Sequence, residues 1–491
     1  MFSKVDIFIF VAKTNDWINS VMDNDFLNRD EEQELRELVS RYEAMLKDEN
    51  TAFFDVDEFE AIIDYFIDFN LLQKARQTLQ IANEQHPNAT VFILKRAQLF
   101  AVQNNKQKAL DILSEIESIE PANSDVVITK ANIYSQLREY EKSIEEFKKA
   151  AEMNNDDRED IYINIAFEYE NLGNYKKAIE YLKKALKINP SNESVLYELS
   201  FCFEVMERYH ESITFFTAYL NNNPYSHIAW FNLGIAYSSV ELYEKAIDAY
   251  DFVIAIDEEF SSAYFNKANA LAGIEKYREA IEVYEETFSY EEPEALTYYY
   301  IGECYEKMAE FTIAIDQYIK AIKLNDLLID AWLGIGSCYL LMGQYKKAEQ
   351  TVRSAIERDK ENPESWYMLG DIYSEDQAYE KAAASYDRVI ELSPFHDDIW
   401  ADLADCYGDM KQYDDAIKTI YSAFDNVEKD AALLYRLAAY EYLAGNQKTG
   451  LSLLQEALLF DHTQSEILFV VAPELREVSD IQFLMIQYKS K

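Results

Sequence analysis

Four cysteines are the residues of this chain best suited to redox or metal chemistry. They are Cys202, Cys304, Cys338 and Cys406. All four fall at the tenth position of a sequence pattern that recurs every 34 residues, and only Cys304 and Cys338 lie in adjacent repeats. Equivalent points on stacked helices lie roughly 8 to 10 Å apart, which exceeds the roughly 7 Å limit for a disulfide. We therefore expect four small, buried core residues, since free cysteine packs as a hydrophobe.

The histidines lack the spacing of a zinc site. They are His86, His210, His227, His396 and His462, and none has a second histidine three to five residues away. His396 with Asp397 and Asp398 comes nearest to a metal site, but solvated turn residues are the favoured interpretation. The chain has no glycine-rich phosphate loop and no nucleophile elbow, and the 27 residues after Gln464 are too few for a catalytic domain. We expect no enzymatic activity, no cofactor and no metal ion.

A stripe of acids is the next candidate for chemistry. Asp398, Asp402, Asp405 and Asp409 are spaced so that all four would share one helix face. Like charges at these spacings cost a helix roughly 0.2 to 0.5 kcal/mol per pair, which a packed repeat tolerates. Two interpretations stay open, a solvated face and a contact for a basic ligand.

Charge narrows the class of partner. The 46 basic and 90 acidic side chains give a formal charge of −44, which repels phosphate backbones and anionic membranes. We expect no nucleic-acid partner and favour a protein or peptide of basic or mixed charge, although acidity also serves solubility. With 49% hydrophobic and 14% aromatic residues, the chain has enough apolar surface for a packed core.

No stretch of the sequence approaches the roughly 18 apolar residues of a membrane span. Residues 5–12, VDIFIFVA, form a short apolar run that contains Asp6 and lacks a basic region and cleavage site for secretion. We expect a soluble, cytoplasmic protein without membrane insertion. A translation start at Met22 in place of Met1 is a further hypothesis, which the intact mass of the native protein would test.

The element that positions all these residues is the 34-residue unit, which is clearest over 227–260. Its defining side chains are Trp230, Leu233, Gly234, Tyr237, Tyr243, Ala246 and Tyr250. Apolar residues recur at three- and four-residue spacings over two runs, which predicts an antiparallel helix pair. Positions eight and twenty are small in nearly every unit, so the two helices can approach closely. Pro190 and Pro224 illustrate position thirty-two, where proline ends the second helix.

Twelve units are predicted between residues 56 and 464. They begin at Val56, Thr90, Ser124, Glu159, Glu193, His227, Ser261, Ala295, Ile329, Pro363, Asp397 and Ala431. Residues 1–55 form an N-terminal extension with a capping helix at about 33–46. Residues 465–491 form a truncated half-repeat that Pro473 ends, followed by a C-terminal capping helix at about 474–488.

The repeat resembles the tetratricopeptide repeat, which has the same order of Trp, Leu-Gly, Tyr, Tyr, Ala, Tyr, Ala and Pro over 34 residues. The chain is similar to the all-repeat, acidic, bacterial-type members of that family. The resemblance implies an all-α, right-handed superhelical solenoid of about twelve antiparallel helix hairpins with terminal capping helices. It further implies a concave groove, lined by the first helix of each hairpin, that holds an extended or helical peptide.

The resemblance places the groove at positions two, five, six, nine, twelve and thirteen of each first helix. Aromatic and amide side chains dominate these positions in the middle units, and carboxylates dominate them later. The candidate peptide-binding residues are Tyr197, Phe201, Phe231, Asn232, Phe265, Asn266, Asn269, Tyr299, Tyr300, Glu303, Tyr367, Asp371, Asp402, Asp405 and Asp409. We expect the aromatic rings to capture ligand side chains, the asparagines to orient the ligand, and the acids to steer it.

The leading prediction is thus a non-enzymatic interaction scaffold that binds a peptide segment or protein in its groove. The alternative is a structural subunit that assembles through its ends or its convex face, with no ligand in the groove. The identity of the partner, the cellular process and the oligomeric state are left open by the sequence.

Overall fold

The computed structural model describes residues 29–47, 52–87, 89–103, 105–119, 123–153, 157–396 and 398–489. Within these ranges every regular element is a helix. The predicted fold class, an all-α repeat solenoid, is confirmed. The apolar run at 5–12, the alternative start Met22 and the metal candidate Asp397 lie outside the described residues.

The chain divides into two compact units, Met1–Asp257 and Glu258–Lys491, called here the N-terminal unit and the C-terminal unit. The helices of the N-terminal unit are α1 (Arg29–Lys47), α2 (Val56–Asp68), α3 (Leu72–Gln85), α4 (Thr90–Val102), α5 (Lys106–Ile119), α6 (Ser124–Gln136), α7 (Tyr140–Met153), α8 (Arg158–Asn171), α9 (Tyr175–Ile188), α10 (Glu193–Val205), α11 (Tyr209–Leu220), α12 (His227–Ser238) and α13 (Tyr243–Ile256).

The C-terminal unit continues the alternation. Its helices are α14 (Ser261–Gly273), α15 (Tyr277–Glu286), α16 (Ala295–Lys307), α17 (Phe311–Leu324), α18 (Ile329–Leu341), α19 (Tyr345–Arg358), α20 (Pro363–Glu375), α21 (Tyr379–Leu392), α22 (Ile399–Asp409), α23 (Tyr413–Ala423), α24 (Ala431–Leu443), α25 (Gln447–Phe460), α26 (Ile467–Val471) and α27 (Ser479–Lys489). The even-numbered helices α2 to α24 are the first helices of the hairpins, and the odd-numbered helices α3 to α25 are the second.

Each hairpin whose turn lies among the described residues turns at a residue in the left-handed region of backbone space. In the turn after α12, Glu241 has φ 59°, and the N–H of Leu242 reaches back to the carbonyl of Tyr237 at 2.9 Å. The equivalent turn residues of the other described hairpins are Asn70, Arg138, Gly173, Glu207, Glu275, Ala309, Gly343, Gln377, Lys411 and Gly445, with φ between 53° and 94°. This is the Schellman ending of a helix, and its hydrogen bond fixes the turn even where glycine is absent.

The small residue at position eight lies beneath a tyrosine of the second helix. A Cβ built on Gly234 would stand 2.5 Å from the Tyr250 ring, and one on Gly302 would stand 2.7 Å from the Tyr318 ring. Both rings are almost fully buried. The large ring at position twenty-four packs closely on the glycine at position eight. This contact explains why position eight is small in these repeats.

The tryptophans at position four each form a hydrogen bond to the backbone. Each indole Nε1–H donates a hydrogen bond to the backbone carbonyl six residues before it. The donors are Trp230, Trp332, Trp366 and Trp400, and the N···O distances are 2.9, 3.1, 2.9 and 3.0 Å. These bonds tie the start of a first helix to the turn that precedes it. The four cysteines are free and buried, which confirms their assignment to the core.

Two predicted helix starts need correction. The helix predicted to start at Asp397 begins at Ile399, because Asp398 has φ 61° and lies outside the helix. The C-terminal capping helix begins at Ser479 and not at 474, because Pro473–Glu477 forms a 3-10 turn and Val478 is extended. Leu475 and Ile481 are both buried, so the two segments close the end of the last hairpin together.

Candidate functional site: the first-helix face

The first-helix face is defined here by positions two, five, six, nine, twelve and thirteen of the first helices. Four of its predicted aromatic residues are buried, with 2 to 7% of their surface exposed, namely Tyr197, Phe231, Phe265 and Tyr300. Phe265, for example, meets the rings of Tyr284 and Tyr300 at 5.5 and 5.6 Å in edge-on contacts. These rings pack into the hairpins and form a floor, whereas Phe201, Tyr299 and Tyr367 remain half-buried.

The predicted asparagines direct their side chains into the fold. Asn232, which is 1% exposed, donates its amide to the carbonyl of Leu196 at 3.3 Å. Asn266 donates to the carbonyl of Ser262 at 2.7 Å. The Oδ1 of Asn269 accepts the hydroxyl of Tyr284. Each amide therefore has an internal hydrogen bond, and the expected orientation of a ligand by these residues would require that bond to be exchanged.

Carboxylates on the C-terminal unit's face accept hydrogen bonds from tyrosine hydroxyls, and we call these contacts tyrosine–carboxylate pairs. Tyr386 donates to Asp371 at 2.7 Å, across one hairpin. The other pairs are Tyr299 with Glu303 at 3.1 Å, Tyr318 with Glu306 at 2.7 Å and Tyr367 with Asp402 at 2.7 Å. Burial raises the pKa of Asp371 to about 6, against the opposing effect of the Tyr386 hydroxyl. Each pair fixes the direction of a carboxylate while leaving it further acceptor capacity.

The four aspartates of the predicted acidic stripe do not all lie on one helix face. Asp398 precedes α22, so only Asp402, Asp405 and Asp409 share the helix. Both oxygens of Asp405 accept from Arg436 Nε at 3.0 Å, and Oδ1 also accepts the hydroxyl of Tyr440 at 2.6 Å. Burial raises the pKa of Asp405, and the positive charge of Arg436 opposes that rise. Asp405 is therefore held by residues of the next hairpin, while Asp409 is exposed.

The N-terminal unit places three carboxylates on its face without cations. Glu170 and Glu204 stand at position twelve of their repeats, and Glu198 stands at position six. None of them forms an ion pair with a described residue. Burial raises the pKa of Glu170 to about 7, of Glu198 to about 8 and of Glu204 to about 7. The Oε1 atom of Glu204 is buried and accepts no hydrogen bond within the described part of the chain.

The absence of one hydroxyl explains this difference. In two repeats, position twenty-four holds a tyrosine whose hydroxyl donates to an acid of the first helix. These tyrosines are Tyr318 and Tyr386. In the repeats of Glu170 and Glu204 the same position holds Leu182 and Phe216, which have no donor. An acid at position nine or twelve, in a repeat without a tyrosine at position twenty-four, is the sequence signal of a carboxylate that lacks this hydroxyl donor. The sequence prediction of the site did not use this signal.

Glu170 lines a cavity of about 430 Å³ on this face. The other lining residues are Phe167, Asn171, Tyr175 and Phe201, of which only Phe201 was a predicted site residue. The Sγ of Cys202 donates to Glu170 Oε1 at 3.3 Å. The Tyr175 and Phe201 rings meet edge to face with centroids 6.2 Å apart. Positions nine, twelve and thirteen of the repeat could have predicted Phe167, Glu170 and Asn171.

Two further searches bear on the site. Among the described residues, no group of three or more His, Cys, Asp or Glu side chains is arranged to hold a metal ion. In the same part of the chain, no helix has the length and apolar character needed to cross a membrane.

Four family models of the tetratricopeptide repeat match the sequence. They cover residues 125–157, 159–192, 227–260, 261–292, 339–397 and 373–440. No curated protein matches the sequence significantly. Proteins built of this repeat serve in general as scaffolds for interactions between proteins.

Solved structures of the same repeat resemble parts of the chain. The structure of YrrB, described as a TPR protein with an unusual peptide-binding site, is 25% identical over 37% of this chain and 93% of YrrB, with a TM-score of 0.31. The C-terminal part of a TPR repeat-containing protein from Cytophaga hutchinsonii is 22% identical over 48% of this chain and 97% of that one, with a TM-score of 0.41. Yeast Tom70 is 13% identical over 88% and 96%, with a TM-score of 0.42. The recurring helix hairpins and the family matches show that the chain belongs to the tetratricopeptide repeat family.

Proposed function

We propose that this protein is a non-enzymatic scaffold that binds a segment of a partner protein, basic or mixed in charge, on its first-helix face. The observation that carries the proposal is the set of tyrosine–carboxylate pairs on the C-terminal unit. In each pair the phenol donates and the carboxylate remains an acceptor, so the face offers fixed acceptors to a ligand. Acceptors whose direction is already set lose less conformational freedom on binding, which favours affinity.

The charge of the face supports a ligand rich in donors. Lysine, arginine and backbone N–H groups are the donors that a carboxylate face binds, and charge-assisted hydrogen bonds are roughly twice as strong as neutral ones. Half-buried rings such as Tyr299 and Tyr367 stand beside these acids, where a cation can also lie against an aromatic face. The formal charge of −44 raises the encounter rate of a basic partner.

The test compares two charge-matched triple variants. The face variant combines Glu303→Gln, Asp371→Asn and Asp409→Asn, which keep the shape of each side chain. The control variant combines Glu282→Gln, Glu357→Gln and Glu380→Gln, which are exposed on second helices. Asp405 is left unchanged, because Asp405→Lys would place a second cation against Arg436.

Partners are captured from native lysate and their contacts are mapped by crosslinking mass spectrometry. We expect crosslinks to first helices in the wild type and in the control variant, and their loss in the face variant. The proposal fails if the face variant keeps its partners and its crosslinks, or if crosslinks fall on second helices alone.

A second candidate, assembly through an end of the chain, is favoured by the C-terminal cap. Val470 in α26 and Phe483 and Ile486 in α27 are 74, 68 and 71% exposed, which is an unusual concentration of apolar surface. Sedimentation of the wild type and of the double variant Phe483→Asp with Ile486→Asp tests it. An oligomer that the double variant dissociates supports assembly, and a wild-type monomer at all concentrations rejects it.

A further inference from the structure

The cavity beside Glu170 is lined by a carboxylate that forms no ion pair with a described residue. Glu170 accepts one hydrogen bond, from Cys202 to Oε1, and its Oε2 accepts none from the described residues. The thiol is a weak donor, so this carboxylate is poorly satisfied. A half-buried carboxylate that lines a cavity, and has one oxygen without a hydrogen-bond donor, favours a ligand that supplies donors and positive charge.

A second carboxylate lies behind the first. Glu198, on α10, is 92% buried, with 8% of its surface exposed, and no described residue donates a hydrogen bond to it. Besides burial, the charge of Glu170 opposes ionisation of Glu198, and both carboxylates oppose ionisation of the Cys202 thiol. A half-buried and a buried acid, neither paired with a described cation, make the cavity wall negative when they ionise.

The remaining walls suit the stem of a long cationic side chain. Phe167, Tyr175 and Phe201 supply aromatic surface, and the Asn171 amide lies at the rim, where it is exposed. Lysine and arginine bury their methylene stems against apolar surface while their charged ends seek acceptors, and aromatic faces attract the cation.

We propose that the cavity formed by Phe167, Glu170, Asn171, Tyr175 and Phe201 receives a single lysine or arginine side chain of a partner protein. The proposal rests on the scaffold function proposed above and makes this cavity the anchoring point of the N-terminal unit. The cation would bond Glu170 Oε2 and shield Glu198, and its stem would lie against the Tyr175 and Phe201 rings. An anion is disfavoured by the two carboxylates, and a purely apolar ligand would leave Glu170 unpaired.

The experiment measures binding of a fluorescein-labelled glycine–lysine repeat peptide to the full chain by fluorescence anisotropy at low salt. A glycine–arginine repeat peptide and a lysine-acetylated peptide are measured in parallel. We expect Glu170→Gln to weaken binding of the lysine peptide by roughly tenfold or more, because a hydrogen bond between charged groups contributes about 1.5 to 3 kcal/mol. Phe201→Leu should weaken it less, and acetylation should abolish the difference between wild type and Glu170→Gln.

The matched control is Glu180→Gln, an exposed position on α9 that removes the same charge without touching the cavity. It should bind the lysine peptide within about twofold of wild type, because exposed charges act mainly through the screened long-range field. Circular dichroism and thermal unfolding verify that each variant is folded. Glu170→Gln keeps the shape of the side chain and removes a buried charge, so folding is not expected to suffer.

The outcomes separate this proposal from the proposed function. If Glu170→Gln binds as wild type does while the face variant of the C-terminal unit binds more weakly, the cavity proposal is overturned and the scaffold proposal stands. If neither variant changes binding of either basic peptide, both proposals are overturned. If the wild type binds neither basic peptide, the cavity proposal is overturned, and the crosslinking experiment decides the scaffold function alone.

Discussion

Glu204 and Glu306 occupy the same position of their repeats, yet their surroundings are opposite. Glu306 accepts the hydroxyls of Tyr318 and Ser337, each at 2.7 Å. In the repeat of Glu204 the corresponding residues are Phe216 and Ile235, and its Oε1 is buried without a hydrogen bond. The repeat decides where an acid stands, and a residue on the second helix or in the next repeat decides whether that acid is satisfied.

The same contrast separates the paired carboxylates of the C-terminal unit from Glu170, Glu198 and Glu204 of the N-terminal unit. On the C-terminal unit, tyrosines and Arg436 hold the carboxylates in place, so those acids contribute to the fold as well as to the surface. On the N-terminal unit, Glu170, Glu198 and Glu204 destabilise the fold when they ionise, because burial disfavours their charged forms. A cation from outside would relieve that cost, whereas the paired carboxylates of the C-terminal unit would gain from a cation without such a cost to relieve.

The largest expected effect is the pH dependence of the N-terminal unit. Glu198 has a folded pKa of about 8 against an ordinary value of 4.5. Its contribution to stability is therefore fully present below about pH 4.5 and is lost as the pH rises through about 8. Because a tenfold change in an ionisation equilibrium corresponds to about 1.4 kcal/mol, Glu198→Gln should stabilise this part of the chain by on the order of 5 kcal/mol at high pH and little at low pH.

Hydrogen–deuterium exchange of α10, corrected for the intrinsic pH dependence of exchange, measures this change. Glu180→Gln serves as the control, since it removes an exposed glutamate from the neighbouring α9. Equal protection of α10 in wild type and Glu198→Gln across the pH range would contradict the assigned burial of Glu198.

Removing the cation of the paired region should have the next largest effect. Arg436→Met leaves Asp405 partly buried beside Tyr440 without its positive partner. Breaking such a pair from one side should destabilise the C-terminal unit by about 3 kcal/mol. Denaturant unfolding measures it, and Arg388→Met, which removes an exposed ion pair with Glu391, should cost less than about 1 kcal/mol. Similar costs for both variants would show that Asp405 is not held as described.

Tyr318→Phe should remove one of the two hydroxyl groups that donate to Glu306. The variant removes one hydroxyl and no packing volume, so it should destabilise the C-terminal unit by about 1 to 2 kcal/mol at neutral pH. Thermal unfolding at neutral pH measures the loss, and an unchanged stability would argue against a hydrogen bond from Tyr318 to Glu306.

The reverse exchange, Phe216→Tyr, should have the smallest effect. The new hydroxyl would occupy the place that Tyr318 takes in its own repeat and would donate to Glu204. We expect a gain of about 1 kcal/mol in the stability of the N-terminal unit. Leu182→Phe, a change at the same repeat position without a donor, is the control. A loss of stability in Phe216→Tyr would mean that the packing around Glu204 cannot admit the oxygen.

Periodicity predicted the helices because each one depends on contacts three and four residues apart, which a single sequence displays. It also located the tyrosine–glycine packing, since positions eight and twenty-four recur in register. Phe231 and Asn232 were predicted to meet a ligand and are 2% and 1% exposed, a depth that periodicity does not reveal. The position of a residue on a helix determines the direction in which its side chain points. Whether that side chain reaches solvent depends on how far the neighbouring side chains extend over it.

The candidate site was predicted less well than the fold for a related reason. The pairing of Asp405 with Arg436 joins residues 31 apart, in successive repeats, and the stripe of aspartates was considered within one helix only. Comparing each acid with position twenty-four of its own repeat and with the first helix of the next would have separated satisfied from unsatisfied carboxylates. That comparison needs only the sequence and the repeat register.

The hairpin turns offer a practical consequence. Eight of them place a non-glycine residue at φ between 53° and 62°, and Glu207, Glu241, Ala309 and Lys411 are among those that are also exposed. Residues with very different side chains adopt the same backbone geometry, so the turn tolerates many residue types at this position. A cysteine for a fluorophore, or a short inserted tag, could therefore be introduced at successive turns. These sites would provide labels at regular intervals along each unit.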